Sequence, residues 1–291
     1  MSDRIKGILC ILSAAFFFAL MGVFVRLSGD IPSIQKSFFR NLVAMLFAFS
    51  MMLRKHTTFK VKKGARGILL LRAVAGTIGI LCSFYAVDRI PLADSSALGK
   101  MSPFFTLVFS AIILKEAITP TQIGALVAAF AGCMFILRPD FANADLLPSA
   151  AALFGGVTAG LAYTLVRKLG KMDVPSAQIV FYFSLFSTLC VTPYLLFSYA
   201  PMQLWQIGLL LLAGLSASVA QFSVTAAYKF APANQISVYD YSQIIFSALL
   251  GFVLFDQTPD LLSVVGYLII GGVAVFMFIY NNRRAAKENA K

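Results

Sequence analysis

Charge is scarce in this sequence. Only 12% of its 291 residues are Asp, Glu, Lys or Arg, against about 25% in a soluble domain. Too few charges exist to cover a water-facing surface, and a mean hydropathy of +0.85 agrees. Histidine occurs once, as His56 in a basic stretch, which leaves little for histidine-based catalysis or metal binding. The four cysteines (Cys10, Cys82, Cys133, Cys190) sit inside apolar runs and form no CxxC pair, so no zinc site or redox motif is signalled and no cofactor is called for. There is no GxxxxGK[ST] loop and no room for an ATPase domain. No DDxxD-like acidic cluster appears, which counts against a membrane-embedded enzyme acting on prenyl or lipid substrates.

What is present is long apolar runs, such as Leu204–Leu215 and Leu262–Tyr280. In lipid every backbone N–H and C=O needs an internal partner, so a chain spans as helices or as a closed barrel. Barrel strands would alternate apolar and polar residues, and these runs do not. A spanning helix needs about 20 mostly apolar residues. That length places spans near 7–27, 33–53, 67–87, 91–114, 120–138, 147–167, 175–198, 203–228, 232–255 and 259–281. Pro32, Pro91, Pro120, Pro148, Pro175, Pro201, Pro232 and Pro259 lie at or near their starts, where the missing N–H costs nothing. Pro103 and Pro193 fall inside spans. Arg4 and Lys6 before an apolar stretch resemble the start of a signal peptide, but no convincing cleavage site follows, so that stretch is expected to be the first retained span.

The net charge of +12 reads as the positive-inside rule rather than as affinity for nucleic acid. The 54–66 cluster, Lys115, Arg167, Lys168, Lys171, Lys229, Arg283, Arg284, Lys287 and Lys291 fall on one side with Arg4 and Lys6. Lys36, Arg89 and Arg138 fall on the other, beside Asp30, Asp88, Asp140, Asp145, Asp256 and Asp260. Both termini are therefore expected in the cytoplasm, with the protein in the inner (plasma) membrane. An internal repeat follows a constant offset of 141 residues: Pro91 aligns with Pro232, Ser96 with Ser237, Phe105 with Phe246, and Val25–Arg26 with Val166–Arg167. Five spans is an odd number, so the second copy enters from the opposite side. The expected fold is an all-α membrane protein of ten transmembrane helices, built as two inverted five-helix repeats over residues 1–141 and 142–291. Inverted repeats commonly hold a solute site near the bilayer midplane.

The stretches "SPFFTLVFSAIILKE", ending at Glu116, and "APANQISVYDYSQIIFSALLGFVLFDQ", together with Arg40–Asn41, resemble the drug/metabolite transporter superfamily, in particular EamA-type permeases. The second copy departs from the pattern, with Gln257 where the first has Glu116. The resemblance implies a non-enzymatic permease for small organic metabolites. It leaves the substrate open among amino acids, amines, sugars and nucleobase-like compounds.

Ionisable groups inside a membrane are functional candidates by default. Lys100 lies roughly 13 Å into span four at 1.5 Å per residue, and Asp240 lies at a similar depth in span nine from the other side. The two are expected either to face a shared polar cavity or to form a salt bridge locking the halves together. Asp94, Ser95, Ser96 and Ser102 add polarity to span four, as do Asn234, Gln235, Ser237, Tyr239, Tyr241, Ser242 and Gln243 to span nine. Gly99 and Pro103 should kink span four, because proline deletes one hydrogen bond and clashes with the carbonyl four residues back. Arg40 could snorkel to the surface or grip a substrate carboxylate with its fork. Arg72 is expected to snorkel. Tyr163 and Tyr182 could wall a cavity or simply pack. The reading is a secondary transporter working by alternating access on small polar metabolites, with an amino acid, zwitterion or organic anion favoured. Exporters of amines or drug-like cations are the alternative, and a channel is a remoter one. The partners are a small-molecule substrate and the bilayer; a proton and a second copy of the chain are further partners this reading admits.

Overall fold

A computed structural model describes residues 1–87, 89–90, 92–140, 145–256 and 258–289, without the side chains of 92–94 and 285–289. Asp88, Pro91, Gln257, Lys291, the junction at 141/142 and the side chains of Asp94 and Lys287 lie outside the described residues. Among the described residues twelve α-helices follow in order: α1 (Asp3–Leu27), α2 (Ser33–Arg54), α3 (Lys63–Val87), α4 (Leu92–Gly99), α5 (Ser102–Leu114), α6 (Pro120–Leu137), α7 (Leu146–Lys171), α8 (Ser176–Ser198), α9 (Leu204–Phe230), α10 (Ala233–Ile236), α11 (Ser242–Phe255) and α12 (Leu261–Asn289). No strand occurs among the described residues. Among the described residues ten segments are long and apolar enough to cross a membrane, α4–α5 and α10–α11 each counting as one. Large apolar side chains such as Ile112, Leu196, Phe197 and Leu268 are exposed around the outside, as a surface solvated by lipid requires.

Local chemistry sets the boundaries. Pro32, Pro175 and Pro232 immediately precede α2, α8 and α10, and Pro120 opens α6. At α6 Thr119 and Gln122 form a reciprocal capping box that satisfies two otherwise orphaned N–H groups. The repeat is visible in the backbone. Lys63 opens α3 and Leu204 opens α9, and Pro120 opens α6 and Leu261 opens α12, each pair 141 residues apart. The same offset relates Lys115 to Asp256. Both end their helix in the left-handed region, at φ 55 and 52, and their N–H groups bond back to Ser110 O and Gly251 O.

Two spans are discontinuous. The fourth breaks at Lys100–Met101, so that Gly99 ends α4 and Pro103 sits in the first turn of α5. The ninth, expected as one helix over 232–255, passes instead through a 3-10 turn at Ser237–Tyr241 between α10 and α11. No proline marks that second break.

The repeats interleave: α1 packs along α9, α3 along α7, α2 along α8 and α6 along α12. Lipid supplies no hydrophobic drive between helices, so close van der Waals approach does the holding. A Cβ on Gly160 would lie 2.7 Å from the Thr106 nitrogen, and one on Gly266 would lie 2.5 Å from the Gly132 carbonyl. At those two crossings only glycine lets the backbones meet.

Candidate substrate-binding site

The side chains that sequence places deep in the bundle separate into two groups. The first is a polar knot between the broken spans. Lys100 Nζ lies 3.2 Å from Asp240 Oδ2 and donates to Gln243 Oε1 at 2.9 Å and to the Asp240 carbonyl at 3.4 Å. Tyr241 Oη returns a bond to the Lys100 carbonyl at 2.9 Å. The Lys100 and Asp240 side chains are only 14% and 15% exposed. Each break leaves backbone groups without helical partners, and the knot satisfies some of them with side chains of the opposite repeat.

The second group lines a cavity of about 240 Å³ bounded by α1, α2, α3, α4, α7, α8 and α9. Of the sequence candidates, Arg40, Gly99 and Tyr163 line it. Lys100, Asp240, Gln243, Ser96, Ser102, Tyr239 and Pro103 are not among its lining residues. Ser102 is buried where α7 crosses α4, Ser96 supplies a helical carbonyl to the Lys100 N–H, and Tyr239 packs in the main core.

Arg72 corrects its expectation. It does not snorkel: it is 2% exposed and lines the cavity. The reason is that α3 begins at Lys63, about four residues before the expected start, which carries Arg72 roughly 6 Å deeper. Its guanidinium stacks 4.1 Å over the Phe183 ring, and that of Arg40 lies 6.0 Å from the Phe18 ring. Neither arginine has a carboxylate partner among the described residues. Arg40 Nε, Arg72 Nε, Arg72 Nη1 and Gln221 Nε2 are buried with no protein acceptor. These four buried, unmet atoms on the lining are all donors. Tyr163 is stacked on Tyr228 with ring centroids 5.2 Å apart and lies within electrostatic range of Arg72, Arg40 and Asp240. Gln221 went unnoticed in the sequence, although a glutamine inside the apolar run of α9 was a readable signal.

A larger groove of about 450 Å³ between α3 and α8 is walled by Leu69, Leu70, Leu185, Phe186 and Leu189. Leu70 and Leu189 are exposed, and Tyr182 anchors its edge by donating to the Phe59 carbonyl at 2.6 Å. Tyr182 lines this groove and not the cavity of the guanidinium pair. No cluster of His, Cys, Asp and Glu able to hold a metal occurs among the described residues.

Ten apolar spans among the described residues, in two interleaved repeats around a cavity lined by Arg40 and Arg72, define a multi-pass membrane protein. The chain belongs to the EamA-like transporter family, whose profile matches residues 5–138 and again 147–279. It is a membrane transporter. It is 31% identical to the pseudopaline exporter of Pseudomonas aeruginosa over 92% of this chain and 94% of that one. It is 28% identical to a riboflavin transporter of Vibrio cholerae over 98% and 96%, and 26% identical to human solute carrier family 35 member G1 over 91% and 76%. A solved crystal structure matches the fold with a TM-score of 0.83 at 15% identity, covering 96% of this chain and 98% of the other.

Proposed function

We propose that the protein carries a small organic anion, or a zwitterion held by its carboxylate, across the membrane by alternating access. One observation carries this reading: Arg40 and Arg72, within electrostatic range of each other, line one cavity, hold buried nitrogens with no acceptor, and have no carboxylate partner among the described residues. Burying like charges unpaired is costly, and an anionic ligand would relieve that cost. A fork of N–H donors matches a carboxylate bidentately. The same pair of charges would repel an amine or cationic drug, which argues against the alternative. Relatives named for pseudopaline and for riboflavin handle different solutes, so kinship alone does not choose among substrates.

In this reading Arg40, Arg72, Gln221 and Tyr163 contact the solute. Lys100, Asp240 and Gln243 join the two broken spans, and their regrouping accompanies the change of side. Asp240 is a carboxylate within the membrane through which a proton could couple. The basic loops support cytoplasmic termini. Reconstitution into liposomes tests the proposal. Saturable counterflow of amino acids or organic acids, lost in Arg40→Gln and Arg72→Gln, is the expected result. Unsaturable conductance, or amine uptake indifferent to both substitutions, would refute it.

A further inference from the structure

Where the chain begins and finishes, a second polar cavity of about 240 Å³ opens between α1, α7, α12 and the segments leading into α6 and α10. Its walls include Arg4, Arg167, Arg284, Glu116, Asn234 and Asn281. Glu116 is already committed. It accepts from Ser110 Oγ at 2.5 Å, from Arg167 Nε at 3.1 Å and from Lys171 Nζ at 3.1 Å. Among the described residues, its lining therefore holds three guanidiniums and one carboxylate, which is already engaged.

Its unmet groups are specific. Asn281 is only 5% exposed, and its Nδ2 has no protein partner. Arg4 donates from Nη1 to the Asn281 carbonyl at 2.5 Å, but its buried Nε has no partner. Asn234 gives its Nδ2 to the Ala117 carbonyl at 2.6 Å, which leaves Oδ1 as a buried, unmet acceptor. Two donors and one acceptor on residues of this lining are therefore unmet. A carboxylate would answer the donors and strand Asn234. A cation would face three arginines. A phosphate group that retains a P–OH answers all three, because it offers anionic oxygens and one hydroxyl.

We infer that this cavity is a phosphate-binding site distinct from the substrate cavity, filled either by a free phosphate or by the phosphomonoester headgroup of a lipid. Its occupant would bridge the first helix, the last helix and the end of α7. The basic residues concentrated at this end draw anions to it.

Thermal unfolding of the full-length protein in neutral detergent tests the site. One arm titrates inorganic phosphate against chloride at equal ionic strength. The other titrates short-chain phosphatidic acid against phosphatidylcholine of the same chains. A saturable rise in Tm in either arm is expected, and the arm that responds names the source. Arg4→Gln and Asn281→Leu should each weaken the apparent affinity about tenfold or more, the usual worth of a hydrogen bond to a charged group. Should a variant fail to fold, broadening of the phosphorus NMR line of inorganic phosphate or phosphatidic acid by the unaltered protein, removed in Arg284→Gln, gives the same answer. The inference falls if neither arm responds, if the variants respond like the unaltered protein, or if Arg72→Gln alone abolishes the response, since that would move the binding to the central cavity.

Discussion

Replacing Arg72 by methionine should separate stability from transport. The guanidinium is 2% exposed and lies over Phe183, and two of its nitrogens have no acceptor. Room for it exists because residue 76, one turn on, is glycine: a Cβ there would collide with Arg72 Nη1 and lie 2.7 Å from the Phe183 ring. A buried donor without a partner costs about 1–3 kcal/mol. The stacking on Phe183 gives back about 0.5–2 kcal/mol. Methionine is flexible and apolar and fills similar space, so the empty protein should melt at an unchanged or higher temperature. The substrate loses a charge-assisted partner, a change worth about 2–5 kcal/mol when the other charge stays buried. At about 1.4 kcal/mol per tenfold, apparent affinity should fall by roughly 30-fold or more. Arg72→Lys should recover only part of it, because a point charge lacks the fork. Light-scattering melts of the purified protein and counterflow in proteoliposomes read the two effects. An Arg72→Met protein that melts well below the unaltered one, yet transports normally per folded molecule, would show that this arginine serves the fold and would refute the reasoning.

Lys100→Met and Asp240→Asn should each abolish transport at normal expression, and each should lower Tm more than the double variant does, with a coupling of about 1–3 kcal/mol in a double-mutant cycle. Normal transport by either single variant would remove the knot from the mechanism. Glu116 lies outside the spans. Burial raises its pKa, but bonds from Ser110, Lys171 and Arg167 outweigh burial and hold it below its ordinary value of 4.5. Its contribution to stability is therefore complete above pH 4.5 and fades as the pH falls towards the lower folded value, because the unfolded chain takes up its proton first. The Tm gap between the unaltered protein and Glu116→Gln should be widest at neutral pH and close in acid; a gap that ignores pH would contradict this account.

Much of the fold could be read from residue order because length and apolarity suffice to define a span, and prolines sharpened most starts. The offset of 141 residues between repeats, read from scattered matches such as Pro91–Pro232, reappears in helix starts and in the left-handed ends at Lys115 and Asp256. The proximity of Lys100 and Asp240 was legible from their depth together with the repeat offset, which pairs Asp240 with Gly99. Arg72 was not, because Lys63 and Arg66 disguised the first turn of α3 as loop and made the arginine look shallow. The break in span nine carried no proline; its polar run was the signal, and the repeat offset to Gly99–Pro103 could have located it. Which polar residues line the cavity depends on helix rotation, and apolar spans with small residues on several faces fix that only through their neighbours.

The way α1 leans on α9 and α3 on α7 bears on how the chain is made. The first five spans leave the ribosome with their principal contact faces uncovered, and those faces must wait in the bilayer for helices not yet synthesised. Assembly is therefore a late, whole-molecule event: severed between the repeats, the two pieces would need each other's company to become a bundle at all.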